Sequence, residues 1–502
     1  MVWPLKKPIP DTVASVDLGS NSFHMIVCRV QDQQLIVVDR LREMVRLAAG
    51  IDKNKNLDAE AQQRALDCLS RFGQRLRVLP RHCVRVVGTN TLRSAHNAAE
   101  FIEQAEAFLG HPIEIISGVE EARLIYLGVA HSLASDHARR LVMDIGGGST
   151  ELIIGEDFTP LTLESLYLGC VSMSRRFFGD GSITGKALRQ AELAAQIELE
   201  PIVKRFKKVT WQVAIGASGT IRAVDKVVRN AGWADDGITL ASLEKLIDAL
   251  RAAGHVDNLK LGGLDTQRTP VFPGGVMILY STFKALGIEL MRVADGALRE
   301  GLIHDLLGRI HHEDIRARSV QALAQRYHAD MEQVTRVQDT ARLCFEMAGD
   351  KWNLDVDEHL PWLEWACMLH EIGLDIAHSQ YQKHGAYVIE HADLPGFSRQ
   401  EQKLLAVLVN AHRRKFPGKD LKTLPGHWRK TAPRLAVLLR LAVLLNRSRN
   451  VQTLPEFNLR VSNKQIQLQF AEGWLDNHAL TRADLEQDAV FLQTSGYKFE
   501  FN

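Results

Sequence analysis

Two stretches of this 502-residue chain place an aspartate where it can serve a phosphate. Residues 15–27 read SVDLGSNSFHMIV and residues 142–154 read VMDIGGGSTELII. In each, an apolar strand ends on an aspartate, Asp17 or Asp144, and a turn of small residues leads into a second apolar strand. Small residues let successive backbone N–H groups converge on an anion, and hydroxyls add further donors. The aspartate repels phosphate, so its use is to hold Mg²⁺ or the water around it. One such turn is ordinary. Two copies, with a third small-residue turn at Gly216-Ala-Ser-Gly-Thr220, point to a phosphate cleft. Gly19, Ser20, Asn21 and Ser22 are expected to cradle one phosphate, and Gly146, Gly147, Gly148 and Ser149 the other, with Gly216, Ser218 and Gly219 extending the cradle.

The elements that position these turns follow from periodicity. Val13–Val16, Phe23–Arg29, Gln34–Val38 and Val84–Val87 read as strands, and Ala59–Leu79 and Ala98–Leu109 as helices, which argues for an α/β domain. The pattern restarts at Leu141, so the two aspartate-headed hairpins look like halves of an internal duplication facing each other across a cleft. From about residue 310 the texture becomes helical, with amphipathic stretches through residue 449. Phe457–Phe470 then alternates as a hairpin, followed by a helix near Arg482–Leu492 and a strand near Tyr497–Phe501.

Six motifs occur in order along the chain: DLGSNSFHM, TNTLRSAHN, ISGVEEARL, DIGGGSTEL, GASGT and DGALREGL. Together they resemble the exopolyphosphatase/guanosine pentaphosphate phosphohydrolase (Ppx/GppA) family, within the superfamily of actin, heat-shock chaperone ATPases and sugar kinases. The resemblance implies two actin-like, ribonuclease H-like α/β domains around a cleft, at 1–125 and 126–308. A helical domain of degenerate HD type at 309–450 and a small α+β domain at 451–502 follow. HADLPGF (His391–Phe397) and Ala411-His-Arg-Arg-Lys415 favour the exopolyphosphatase branch.

Phosphoanhydride hydrolysis needs positioning and charge neutralisation, with a water in line. Glu121, in Ser117-Gly-Val-Glu-Glu-Ala-Arg123, is the candidate to orient and deprotonate that water, and it matches the family's catalytic glutamate. Its neighbour Glu120 reads as structural. Arg93 resembles the family's phosphate-clamping arginine, and a planar guanidinium suits phosphate oxygens. Asp144 and Glu151 are the expected metal-side carboxylates, assisted by Asp17 through water. Arg299 and Glu300 read equally as structural or functional. Mg²⁺ is the implied cofactor, and a monovalent cation is compatible with the resemblance.

In the helical region, Leu369-His370-Glu371-Ile372-Gly373 resembles the His-Asp core of HD-type phosphohydrolases, but too few ligands remain for a tight metal site. Gln338 stands where an upstream histidine belongs, Glu371 replaces the aspartate, and Asn446 lies where a downstream aspartate belongs. The same region hides a charge asymmetry beneath a net charge of +1: residues 411–450 carry eleven Lys/Arg against one acid, Asp420. Such a patch binds a long polyanion by releasing counterions. Arg413, Arg414 and Lys415 are therefore expected to form a polyphosphate track towards the amino-terminal cleft, with no nucleic acid as partner.

The composition, 46% hydrophobic and 24% charged, is that of a globular protein and excludes a disordered or collagen-like chain. No apolar run reaches the ~18 residues of a membrane span, and no secretory h-region follows the first lysines. Six scattered cysteines with no C-x-x-C pair fit a reducing compartment. With these features, the resemblance implies a cytoplasmic, Mg²⁺-dependent exopolyphosphatase that releases terminal orthophosphate. Resemblance adds a homodimer and allows peripheral association with the inner membrane. Three alternatives stand beside it: a guanosine pentaphosphate 5′-phosphohydrolase, an ATP-driven kinase or chaperone ATPase, and a non-catalytic polyphosphate- or nucleic-acid-binding module.

Overall fold

The computed structural model describes residues 10–31, 34–133, 137–310, 314–449 and 456–502. The chain divides into two compact units, 1–314 and 315–502.

The first unit is built on two sheets. Strands β1 (Thr12–Leu18), β2 (Phe23–Gln31), β3 (Gln34–Glu43), β4 (Val84–Gly88) and β5 (Glu114–Ile115) form one, in the order β3-β2-β1-β4-β5. Strands β6 (Arg140–Ile145), β7 (Thr150–Glu156), β8 (Thr159–Leu166), β9 (Val213–Gly216), β10 (Ile238–Thr239) and β11 (Leu290–Val293) form the second, in the order β10-β11-β9-β6-β7-β8. The duplication seen in the sequence is also topological. β1 runs antiparallel to β2 and parallel to β4, as β6 runs antiparallel to β7 and parallel to β9. The register repeats too: Asp17 lies opposite His24, and Asp144 opposite Glu151. Directly paired residues share a sheet face, so each aspartate has a cross-strand companion beside it.

Helices Ala59–Leu76 and Ala98–Leu109 cover the first sheet through Leu69, Phe72 and Phe101. Helices Gly185–Val209 and Phe272–Leu286 cover the second through Leu199, Phe206, Val276 and Phe283. The expected boundary at 125/126 falls inside the helix Gly118–Ser132, and that at 308/309 inside the helix Leu298–Ile310. The second of these helices follows the last strand of the second sheet yet returns to the first, packing Ile303 and Leu306 against Val13 and Ile26. The two helices cross at glycine: a Cβ on Gly128 would lie 2.0 Å from the Ala297 carbonyl oxygen, and one on Gly301 1.8 Å from that of Leu124. Only glycine permits so close an approach.

Glu120 is 1% exposed and anchors the same crossing. It takes two hydrogen bonds of 2.8 Å from Arg123, and Arg85 and Arg123 both pair with buried Asp305. Asp305 is held well below the usual carboxylate range: Arg123, Arg85 and Arg309 outweigh the burial that opposes its charge. Glu120 is thus structural, as its sequence context suggested.

The second unit has one core. Leu459, Ile466, Leu468 and Phe499, from strands β12 (Phe457–Ser462), β13 (Gln465–Phe470) and β14 (Lys498–Phe501), join it together with Leu363, Leu408 and Leu438 of the helices. Trp352 Nε1 donates to the Ser462 carbonyl at 3.0 Å across this junction. The carboxy-terminal sheet and the helices are therefore one folding unit rather than two, because neither face of this small sheet could be buried alone. The expected 450/451 boundary lies outside the described residues. Gln338 and Asn446 are committed to hydrogen bonds, with the Glu364 carbonyl at 3.1 Å and the Thr340 hydroxyl at 2.8 Å. The six cysteines are buried and unpaired. Among the described residues no helix is long and apolar enough to cross a membrane.

Candidate active site

A cavity of about 330 Å³ opens between the two sheets of the first unit, and both aspartate-headed turns line it. Gly19, Ser20, Asn21 and Ser22 form one wall, and Gly146, Gly147, Gly148 and Ser149 another. The turns nearly touch: a Cβ on Gly147 would lie 3.0 Å from the Ser20 Cβ and 3.6 Å from the Asn21 nitrogen. Thr91 donates to Ser20 Oγ at 2.7 Å, fixing the first turn from the short helix Asn90–Ser94. Ser218 and Gly219 begin the helix Ser218–Asn230 and line the cavity, adding helix N-terminal N–H groups. Ser218 is held at φ 73°, an uncommon conformation for a residue with a side chain.

Asp17, Glu121, Asp144 and Glu151 all line the cavity. Burial pushes Asp17 up to about 8, aided by repulsion from Glu121 and opposed by Arg299. Asp144 rises to about 7, through burial and then Glu121. Glu151, 1% exposed, lies well above its ordinary range through burial, Glu121 and Asp144. Burial raises Glu121 as well, against the pull of Arg93.

These acids destabilise one another, which makes the site receptive to a cation. Asp17 Oδ1 is buried and has no hydrogen-bond partner. Glu151 Oε1 accepts from Ser165 at 2.8 Å. No group of three metal-ligating side chains converges among the described residues. An unpartnered Asp17 oxygen in a cavity shared with Asp144 and Glu151 fits Mg²⁺, which takes one or two carboxylates and completes its shell with water and phosphate oxygens.

Two sequence expectations need correction. Gly216 ends β9 behind the cavity, where a Cβ would meet Ile221 at 2.4 Å and Met291 at 3.0 Å. Its smallness serves strand-to-helix packing, not a phosphate. Arg93 is not among the residues lining the cavity. It donates to the Ile116 carbonyl at 2.8 Å and to Glu121 Oε2 at 3.3 Å, so in this structure it orients the glutamate.

The sequence reading missed most of the cationic wall. Arg40, Arg42, Arg222 and Arg268 line the cavity, and Arg299, left undecided, joins them. Arg268 is lowered by burial and by its cationic neighbours Arg42 and Arg222, so this wall is short of negative charge. Gly219 makes room for it, since a Cβ there would lie 1.9 Å from the Arg268 guanidinium. Alternating Arg40 and Arg42 on one strand, and Arg222 one turn into the helix after GASGT, were available signals. Arg268 sits in an irregular segment and gave none. His24 also lines the cavity; burial and Arg299 hold it down to about 3, so it is neutral.

Arg413, Arg414 and Lys415 lie in the second unit and line a different cavity, of about 1430 Å³. Lys383, Lys419, Lys422 and Lys464 line it too, and among the described residues Asp420 is the one acid there. Buried Arg440 donates to the Ala411 carbonyl at 2.9 Å and to that of Arg414 at 2.5 Å, and it pairs with Asp488 at 2.6 Å. That buried pair fixes the turn presenting the three cations.

This geometry agrees with known proteins. The model of the Ppx/GppA phosphatase family matches residues 26–310, and that of Ppx/GppA phosphatase domain III matches residues 315–489. The guanosine-5′-triphosphate,3′-diphosphate pyrophosphatase of Aeromonas hydrophila is 41% identical over 484 residues, 96% of this chain and 97% of the relative. That of Vibrio cholerae is 41% identical over 480 residues, 95% of each. In fold, an exopolyphosphatase from Cytophaga hutchinsonii matches with TM-score 0.54 at 23% identity, over 60% of this chain and 98% of that one. The Aquifex aeolicus Ppx/GppA family member matches with TM-score 0.50 at 25% identity, over 59% and 97%. With family matches in both compact units and relatives along nearly its full length, the chain belongs to the Ppx/GppA phosphatase family of phosphoanhydride hydrolases.

Proposed function

We propose that the protein is a guanosine pentaphosphate 5′-phosphohydrolase, which releases orthophosphate from the 5′ end and leaves guanosine tetraphosphate. The supporting observation is a cleft built for a terminal phosphoanhydride, in a chain similar end to end to relatives bearing that activity in their names. This reverses the order of the two substrates expected from the sequence, where His391–Phe397 and the basic stretch favoured polyphosphate.

In this reading the two small-residue turns bind the terminal phosphate through backbone N–H groups and the Ser20, Ser22 and Ser149 hydroxyls. Arg42, Arg222 and Arg268 neutralise the remaining phosphates of the chain. Glu121 accepts the proton of the attacking water, and Arg93 holds its carboxylate in place. A bond forms from the water oxygen to the terminal phosphorus as the bridging P–O bond breaks, and the departing diphosphate end carries the electron pair. Asp144 and Glu151 would hold Mg²⁺, with Asp17 reaching it through water, and the ion when bound would offset charge on the phosphate oxygens.

Orthophosphate release from guanosine pentaphosphate and from polyphosphate, compared by kcat/KM, tests the assignment. A higher value for guanosine pentaphosphate is expected; a higher value for polyphosphate overturns it. The exopolyphosphatase reading retains one observation in its favour, the cation-lined cavity of the second unit. If that cavity binds polyphosphate, neutralising Arg413, Arg414 and Lys415 raises KM for long chains more than for short ones. Equal effects reject the track.

A further inference from the structure

His24 is fixed in one tautomer by a neighbour that can only donate. Its Nδ1 lies 2.7 Å from Arg299 Nη1, and its Nε2 lies 2.7 Å from Ser22 Oγ. A guanidinium has no acceptor, so Nδ1 must accept and the ring proton must sit on Nε2. Nε2–H then donates to Ser22 Oγ, and the hydroxyl proton of Ser22 is left to find an acceptor elsewhere. Ser22 lines the cavity, where a bound phosphate would supply that acceptor. Both ring nitrogens are occupied, so His24 cannot itself take a proton from water.

The relay is anchored on three elements. Arg299 stands in the first turn of the helix Leu298–Ile310, and its carbonyl accepts from Ser15 on β1 at 2.9 Å. His24 belongs to β2, opposite Asp17. In the second hairpin the equivalent position is Glu151, opposite Asp144, whose carboxylate accepts from Ser165. At this position the two halves of the duplication differ in chemistry, with a carboxylate on one side and a neutral imidazole on the other.

We propose that His24 is a positioning residue, held by Arg299, that turns the Ser22 hydroxyl proton towards the bound terminal phosphate. This rests on the cleft being the site of phosphoanhydride hydrolysis. The expected effect is that of one hydrogen bond to a charged group, about ten- to hundredfold in kcat/KM.

The test is orthophosphate release from guanosine pentaphosphate by the full chain and its H24F, H24Q, S22A and H24F/S22A variants, with nitrogen NMR of histidine-labelled wild type near neutral pH. H24F and S22A should each lower kcat/KM by that factor, and the double variant should be no worse than S22A. H24Q should recover part of the loss, since its carboxamide can accept from Arg299 and donate to Ser22. The His24 resonances should report a neutral ring protonated on Nε2. Additive losses, H24Q as poor as H24F, or a proton on Nδ1 would overturn the proposal. Wild type that turns over neither substrate yet shows the Nε2–H signature would defeat the functional reading and leave the relay standing.

Discussion

Replacing Glu121 with glutamine should separate catalysis from stability in opposite directions. Glu121 lines the cleft and is the largest charge–charge contribution raising Asp17, Asp144 and Glu151. Removing a general base costs about a hundred- to ten-thousandfold in kcat, which is about 3–5 kcal/mol of barrier. KM should change far less, because the turns and arginines proposed to bind phosphate are untouched. Stability should move the other way. Asp17 ionises near 3.8 in the unfolded chain and about 8 in the fold, so between those values the native state holds a proton that the unfolded state has lost. Stability from that group is complete at low pH and falls as pH rises through the window; at pH 7 the loss reaches about 4 kcal/mol at most. A neutral residue at 121 relieves part of this, and a relief of ~1 kcal/mol raises Tm by about 2 °C in a unit of this size. The assay is orthophosphate release at saturating substrate, paired with thermal unfolding in divalent-free buffer from acid to neutral pH. E121Q should be nearly inactive and melt higher at neutral pH, with the gain vanishing in acid. A variant with a tenth or more of wild-type turnover, or one that melts lower at neutral pH, would refute the reasoning.

If Asp144 and Asp17 serve the proposed Mg²⁺, their raised pKa values, about 7 and about 8, set the pH dependence of its loading. Cation binding needs both ionised, so apparent Mg²⁺ affinity should climb through this interval and level off above it; a flat response in titrations on either side would contradict it. Gly219→Ala should displace Arg268 and raise KM for guanosine pentaphosphate with kcat little changed, whereas an unaltered KM would remove Arg268 from substrate binding. Arg440→Ala should destabilise the second unit by about 3–5 kcal/mol, because Asp488 is left buried and unpaired, as denaturant unfolding would show.

Legibility in the sequence followed the range of the interaction. The Asp17 and Asp144 hairpins were readable because a strand, an acid and a small-residue turn are local features, and their repetition made them distinctive. Glu121 and Arg93 became readable only through resemblance, since an acid at a helix start is also what the helix dipole favours. Arg40 and Arg42 escape a sequence reading because the strand pattern is legible only to Val38, whereas β3 runs to Glu43. Arg268 reaches the cleft by a non-local route that no periodicity announces. Gly216 was misassigned because a glycine needed for close packing and one needed for an anion look alike. The boundary at 308 falls inside a helix because the chain returns to its first sheet after completing its second, a long-range contact that local composition does not encode.

The central claim is a single in-line attack by water, aimed by Glu121, on the terminal phosphorus. The stereochemical course of hydrolysis, followed with a substrate carrying a chirally labelled terminal thiophosphate, tests it directly. One displacement by water gives inversion at phosphorus. Retention would mean two displacements through a phosphorylated side chain, and would contradict the role given to Glu121.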